Sequence, residues 1–227
     1  MIALMDTPQD LATCAAELGM ECGQLLTPLT RRANRGGMFG IDNGAFSRFN
    51  AKAFLSLVER NTQHRTRCVF VAMPDIVANA RRTLELFDYW APRFDGWPVA
   101  LVAQDGQGSL PIPWEQMRAV FIGGSTKWKL GRHARDIIKT AQAMGKWVHV
   151  GRVNTPERTD YFAKLGVDSI DGTGIARYSH MRVAVKQRMS LFEDADNAEM
   201  DDDASRDIAE RLPDEGSDVR CGAAGQD

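Results

Sequence analysis

Gly166-Val167-Asp168-Ser169-Ile170-Asp171-Gly172-Thr173-Gly174 is the stretch whose reading decides the fold. Apolar Val167 and Ile170 among polar neighbours predict a short buried strand that runs into a Gly-Thr-Gly turn, leaving Asp171 at the strand's C-terminal end. In parallel α/β folds helices cover the flanks, so only the loops leaving the C-terminal strand ends are free to build a site. Three further stretches end in the same way. Phe39-Gly40-Ile41 leads to Asp42, Val69-Phe70-Val71-Ala72-Met73 leads through Pro74 to Asp75, and Pro98 to Ala103 leads to Gln104. Four polar groups at four strand ends are expected to converge on one mouth.

Around these ends the chain reads as strands alternating with helices. Strands are predicted at Ile2–Met5, Gln24–Leu26, Phe39–Ile41, Val69–Met73, Val99–Ala103, Ala119–Ile122, Trp147–Val150 and up to Asp171. Helices are predicted from Pro8 to Gly19 with Thr7 as N-cap, from Ala51 to Asn61 and from Ile76 to Trp90, where Ala80, Leu84, Phe87 and Ala91 recur on one face. Others run from Lys127 to Met144, from Pro156 to Leu165 behind a Thr155 cap, and from Ile175 to Leu191. Up to eight strands at this spacing predict a (β/α)8 TIM-like barrel over residues 1–192, compact for its class. Gly123-Gly124, at the turn after the sixth strand, lets a ligand approach backbone N–H groups, with Ser125 or Thr126 capping the next helix.

The 227 residues, 44% of them apolar, suffice for a real core. Cys14, Cys22, Cys68 and Cys221 lie far apart, which suggests reduced thiols and neither a zinc ribbon nor a disulfide framework. His64, His133, His149 and His180 show no metal-ligand spacing, so no metal and no cofactor are expected. Residues 193–227 hold 13 acidic and 3 basic side chains, a charge of −10 against −2 for the whole chain, which leaves +8 on residues 1–192. An acidic, disordered tail on a basic body is expected, and the body suits a polyanion rich in phosphate. With no apolar run long enough for a signal peptide or a membrane span, the chain reads as soluble and cytoplasmic.

Taken in order, the strand ends resemble the tRNA-guanine transglycosylase superfamily, and more closely its short members from phages and genomic islands that insert 7-deazaguanines into DNA. The resemblance spans about Phe39 to Arg177. It is carried by Asp42-Asn43-Gly44-Ala45-Phe46-Ser47, by Asp75, by Val102-Ala103-Gln104-Asp105-Gly106, by Gly123-Gly124, by Val150-Gly151 ahead of Thr155-Pro156-Glu157, and by Gly166-Val-Asp-Ser-Ile-Asp171. The resemblance implies that Asp171 attacks C1′ of a target nucleoside and expels guanine, and that an incoming deazapurine resolves the covalent glycosyl-enzyme. It implies that Asp42 trades protons with the bases and that Asp75 accepts from N1–H and the 2-amino group. Gln104 and the amides of Gly123 and Gly124 would face O6, and Phe46 and Val150 would sandwich the flipped base.

Lys127, Lys129, Arg152 and Arg177 are the candidate contacts to the polynucleotide, with Trp128 between the two lysines. Asp168 is read as structural, because period-two alternation separates it from its neighbours. The sequence departs from the family pattern where Asn43, Ala45 and Ser47 replace Ser, Gly and Gln, and the cysteine cluster of the tRNA enzymes is absent. DNA is therefore the expected partner, together with a 7-deazaguanine base and no membrane; in a phage-encoded enzyme the compartment is the bacterial host's cytoplasm. A tRNA enzyme, a non-catalytic subunit binding a deazapurine or nucleic acid, and a barrel enzyme acting on a phosphorylated sugar stand as alternatives, and homo-oligomer or partner subunit stays open.

Overall fold

The computed structural model describes residues 1–30 and 32–190, and among them eight parallel strands close into a barrel in chain order. These are β1 (Ile2–Met5), β2 (Cys22–Leu26), β3 (Phe39–Ile41), β4 (Cys68–Ala72), β5 (Val99–Ala103), β6 (Ala119–Ile122), β7 (Trp147–Val150) and β8 (Ser169–Asp171). Closure joins β8 to β1, with Ala3 opposite Ile170 and Leu4 opposite Asp171. The outer layer holds α1 (Leu11–Leu18), α2 (Ala51–Arg60), α3 (Ala80–Trp90), α4 (Thr126–Lys129), α5 (Arg132–Ala143), α6 (Pro156–Lys164) and α7 (Thr173–Arg177), and residues 179–190 are also helical. The chain is a (β/α)8 TIM barrel. The acidic stretch 193–227, expected to be disordered, lies outside the described residues.

Strand side chains alternate between the barrel axis and the helices. Ile2, Leu4, Leu25, Phe70, Ala72, Ala100, Val102, Ala119 and Phe121 form the buried interior cluster. The intervening residues, such as Ala3, Val120, Val148, Val150 and Ile170, pack with Ile137, Ile138 and Phe162 of α5 and α6. Interior space is set by large residues facing small ones. A Cβ built on Gly40 would lie 2.6 Å from the Phe70 ring and 3.0 Å from Leu4. Gly40→Ala is therefore expected to lower stability by about 1–3 kcal/mol, read as a fall in the urea midpoint, and Phe70→Leu in the same chain should recover part of the loss. An unchanged midpoint in Gly40→Ala would mean that the interior has room to spare.

Four expected helices begin or break differently. The first is capped by Asp10, whose side chain accepts from the Thr13 N–H at 3.0 Å, rather than by Thr7. The helix expected from Ile76 starts at Ala80, because the Ala78 N–H is taken by Gln104 Oε1 at 2.9 Å, the Ile76 N–H by Thr83 Oγ1 at 3.0 Å, and Ala78 has φ 60°. The span Lys127–Met144 is two helices broken at Leu130-Gly131, where the poor helix former Gly131 follows a turn that buries Lys129 against β7. The last helix begins with the short α7 and resumes at 179, with Arg182 buried and bonded to the Ile175 carbonyl at 2.8 Å; its expected end, Leu191, lies outside the described residues.

Candidate active site

Strand parity decides which polar groups enter the mouth. Residues 40 and 42, 102 and 104, 121 and 123, 149 and 151, and 169 and 171 share the inward phase, so Asp42, Gln104, Gly123, Gly151 and Asp171 finish their strands pointing over the axis. Together with Asp75, Asn43, Phe46 and Arg152, four of them line a cavity of about 420 Å³ at the C-terminal end of the barrel: Asp42, Gln104, Gly123 and Asp171. Phe121 lines it from below, packed on further rings. Phe70 and Phe121 each stand 4.5 Å from the His149 ring and 5.7 Å from one another.

Asp75 is held on both oxygens. Asn43 Nδ2 donates to Oδ1 at 2.9 Å and to the Met73 carbonyl at 2.7 Å, while Gln104 Nε2 donates to Oδ2 at 2.7 Å. Gln104 cannot be reversed, because its Oε1 already accepts from the N–H groups of Ala78 and Gly124, both at 2.9 Å. Each Asp75 oxygen keeps a lone pair, and Gln104 keeps one amide proton. Burial raises the Asp75 pKa, against the pull of Asn43, Gln104 and Arg152.

Asp171 is likewise gripped at both ends. Its Oδ1 accepts from the Arg152 N–H at 3.1 Å, and its Oδ2 lies 2.9 Å from His149 Nε2. The chain of contacts continues inward: His149 Nδ1 is 2.9 Å from Ser169 Oγ, which accepts from Trp147 Nε1 at 2.8 Å. The Asp171 carboxylate can only accept, so the imidazole proton sits on Nε2, directed at Asp171, and Nδ1 accepts the Ser169 proton. Burial lowers the His149 pKa, opposed by the Asp171 hydrogen bond, so a neutral ring performs this donation. The sequence reading assigned no role to His149; its signal was register, since it pairs with Ser169 and shares the phase of Asp171.

Asp42 is half-buried, and its Oδ1 accepts from the Gly44 N–H at 2.6 Å. Its pKa is pushed up to about 7 by burial, with Gly44 pulling it down and Asp171 and Asp75 raising it further. Asp168 is structural as expected, with Oδ2 accepting from the Val148 N–H at 2.7 Å.

Several expected roles do not survive the geometry. The Gly123 N–H is taken by the Ala103 carbonyl at 2.9 Å and the Gly124 N–H by Gln104, so neither amide is free to face a ligand. Val150 points to the helix layer at 0% exposure, since it is out of phase with His149, and it cannot stack on anything in the cavity. Lys129 is 3% exposed with Nζ on the Gly151 carbonyl, and burial lowers its pKa to about 8, so it is no surface contact for a polynucleotide. Lys127 is exposed outside the cavity lining, whereas exposed Arg177 borders a side cleft of about 100 Å³ shared with Asp171.

Arg152 does more than the sequence suggested. With Ala78 it is one of two non-glycine residues of positive φ among the described residues, at 58°, and each gives its N–H to a site side chain. Such a backbone costs about 1–3 kcal/mol and persists only where its surroundings hold it. Its guanidinium donates to the Gly124 carbonyl and lies 4.4 Å from the centre of the Phe46 ring.

Among the described residues no three His, Cys, Asp or Glu side chains gather as a metal-holding group, Cys14, Cys22 and Cys68 are free thiols, and no helix is long and apolar enough to cross a membrane. Cys221 lies outside those residues.

No family model matches this sequence, and no curated protein matches it. Among solved structures, a cube-shaped, highly porous protein cage designed by fusing symmetric oligomeric domains is 13% identical over 92% of this chain and 78% of its own, with a TM-score of 0.43. Phosphoribosyl anthranilate isomerase from Thermus thermophilus is 16% identical over 84% of this chain and 98% of its own, with a TM-score of 0.39. Neither likeness bears on the chemistry of the mouth.

Proposed function

We propose that this chain is a base-exchange transglycosylase that replaces guanine in DNA with a 7-deazaguanine through a covalent Asp171-glycosyl intermediate. The supporting observation is that one cavity presents Asp42, poised near neutrality, and Asp171, held by a donor on each oxygen. In the first step an Asp171 oxygen bonds to C1′ while the C1′–N9 bond breaks, and Asp42 gives its proton to the departing guanine. In the second, the deazaguanine N9–H returns a proton to Asp42, N9 bonds to C1′, and the Asp171 ester opens. Each half-reaction restores what the other used. The two donors on Asp171 orient the attacking carboxylate, and the neutral His149 adds no competing positive charge.

Two lone pairs on Asp75 beside the spare proton of Gln104 match the N2–H, N1–H and O6 edge shared by guanine and its 7-deaza analogues. Asp75→Asn is expected to lower guanine exchange about 10²-fold, because the new amide faces the donors of Asn43 or Gln104 and Gln104 cannot turn to receive it. Exchange of labelled bases into DNA by both proteins tests this; identical rankings of guanine, hypoxanthine and adenine at similar rates would remove Asp75 from base recognition.

The function itself is tested by incubating DNA and, separately, tRNA with the protein and candidate 7-deazaguanines, then analysing the nucleosides by mass spectrometry. A 7-deaza-2′-deoxyguanosine in the DNA digest is the expected product. Exchange into tRNA alone would move the assignment to the tRNA enzymes, and exchange into neither would overturn it.

A further inference from the structure

A sandwich for a planar ring needs two faces, and only one of those expected from the sequence reaches the cavity. Phe46 does, at 66% exposure and on the cavity wall; Val150 is sealed behind the strand. The other face comes from the next turn of chain. Arg152 follows β7, and Phe46 follows β3, four strands away in a ring of eight, so the two residues belong to opposite sides of the mouth. The Arg152 side chain nevertheless reaches the Phe46 ring, its guanidinium carbon 4.4 Å from the ring centre, and it is tied on the way to the Gly124 carbonyl after β6. The pair therefore spans the opening above Asp42, Asp75 and Asp171.

We infer that Arg152 is the second stacking face of this site, and that a planar heteroaromatic base binds between its guanidinium and the Phe46 ring, displacing their direct contact. The identity of the ring as a guanine rests on the function proposed above; the stack does not. A guanidinium suits the position because it is flat, permanently charged and weakly hydrated, so it stacks on aromatic rings and nucleobases as readily as it bonds to oxygen. A gap of 4.4 Å holds no second ring, so entry of the base swings the guanidinium off Phe46 and releases the Gly124 carbonyl. The backbone of Arg152 need not follow, since its N–H stays on Asp171 Oδ1. Arg152 is thus a positioning residue whose main chain orients Asp171 while its side chain covers the base.

The test separates a plane from a charge. Binding of free guanine, 7-deazaguanine and adenine to the full-length chain is measured by calorimetry for wild type, Arg152→Lys, Arg152→His, Arg152→Ala and Phe46→Leu, with the melting temperature of each as a control for folding. Histidine tolerates the left-handed backbone at this position and supplies a plane without the full charge. Stacking predicts that Arg152→Lys, Arg152→Ala and Phe46→Leu each weaken binding about tenfold, that Arg152→His stays within a few-fold of wild type, and that melting temperatures hold. If Arg152→Lys binds like wild type while Arg152→His does not, the residue acts as a point charge and the inference falls. If wild type binds guanine and none of the substitutions matters, the inference falls and the proposed function stands. Arg152-dependent binding of adenine as tight as that of guanine keeps the stack and removes the guanine assignment, and a wild type that binds no purine overturns both.

Discussion

Asp171→Asn is expected to leave a folded barrel that exchanges no base, with the rate lower by about 10⁴-fold or more, as for loss of other enzymic nucleophiles. The substitution keeps size and shape but not hydrogen-bond logic. Asp171 now receives a proton on each oxygen, from the Arg152 N–H and from His149 Nε2. An amide oxygen can satisfy one of these donors, and its NH2 then meets the other. The imidazole could move its proton to Nδ1, but Ser169 would then accept from both Trp147 and His149 and its own hydrogen would lose its partner. One unsatisfied buried donor costs about 1–3 kcal/mol, a shift of a few degrees in the melting temperature of a domain this size. Trapping of a covalent protein–DNA adduct by Asp171→Asn at wild-type levels would remove Asp171 as the nucleophile.

Asp42→Asn is expected to lower exchange about 10³-fold, within the range of general acid–base catalysis, and to change how stability depends on pH. The Asp42 carboxyl titrates at about 7 in the folded chain against an ordinary 3.8. Burial favours its protonated form, so its contribution to stability is fully present below pH 3.8 and is lost as pH rises through about 7. Wild type should therefore lose stability between pH 5 and pH 8 relative to Asp42→Asn, by on the order of 2 kcal/mol. His149 has the opposite sign, its lowered pKa removing stability as pH falls. Its contribution is common to both proteins and cancels in the difference. For the rate, a group that must both give and take a proton works best near its own pKa, so exchange by wild type should peak near pH 7 and the variant's residual rate should not. Urea midpoints at pH 5 and 8, with rates from pH 5 to 9, check both claims. Parallel stability curves would show that Asp42 does not titrate near neutrality.

The polar strand ends of the site could be read from the sequence. Asp42, Asp75, Gln104 and Asp171 each follow an apolar run and precede a turn, and a parallel barrel leaves such residues nowhere to go but the mouth. Residues that support them were hidden, because their partners are distant in the chain. His149 and Asp171 are 22 residues apart, Asn43 and Asp75 are 32, and nothing local marks either pair. Asn43 looked like a departure from a pattern and proved to hold one oxygen of Asp75, with Gln104 on the other.

By itself, the sequence determined the alternation of eight strands with helices, the caps at Thr155 and Gly19, and the strand ends that carry the carboxylates, because period, turn and capping chemistry act over a few residues. It also determined that His149 and Val150 face opposite ways. Which of them enters the barrel was decided by the pairing of β7 between β6 and β8 and by the helices packed outside it, since a period of two fixes opposition and not direction. Contacts between other strand ends buried Lys129, occupied the amides of Gly123 and Gly124, and brought Arg152 across the mouth to Phe46. Such outcomes depend on which distant group the fold brings within reach of a given donor or ring, and only the folded chain holds that information.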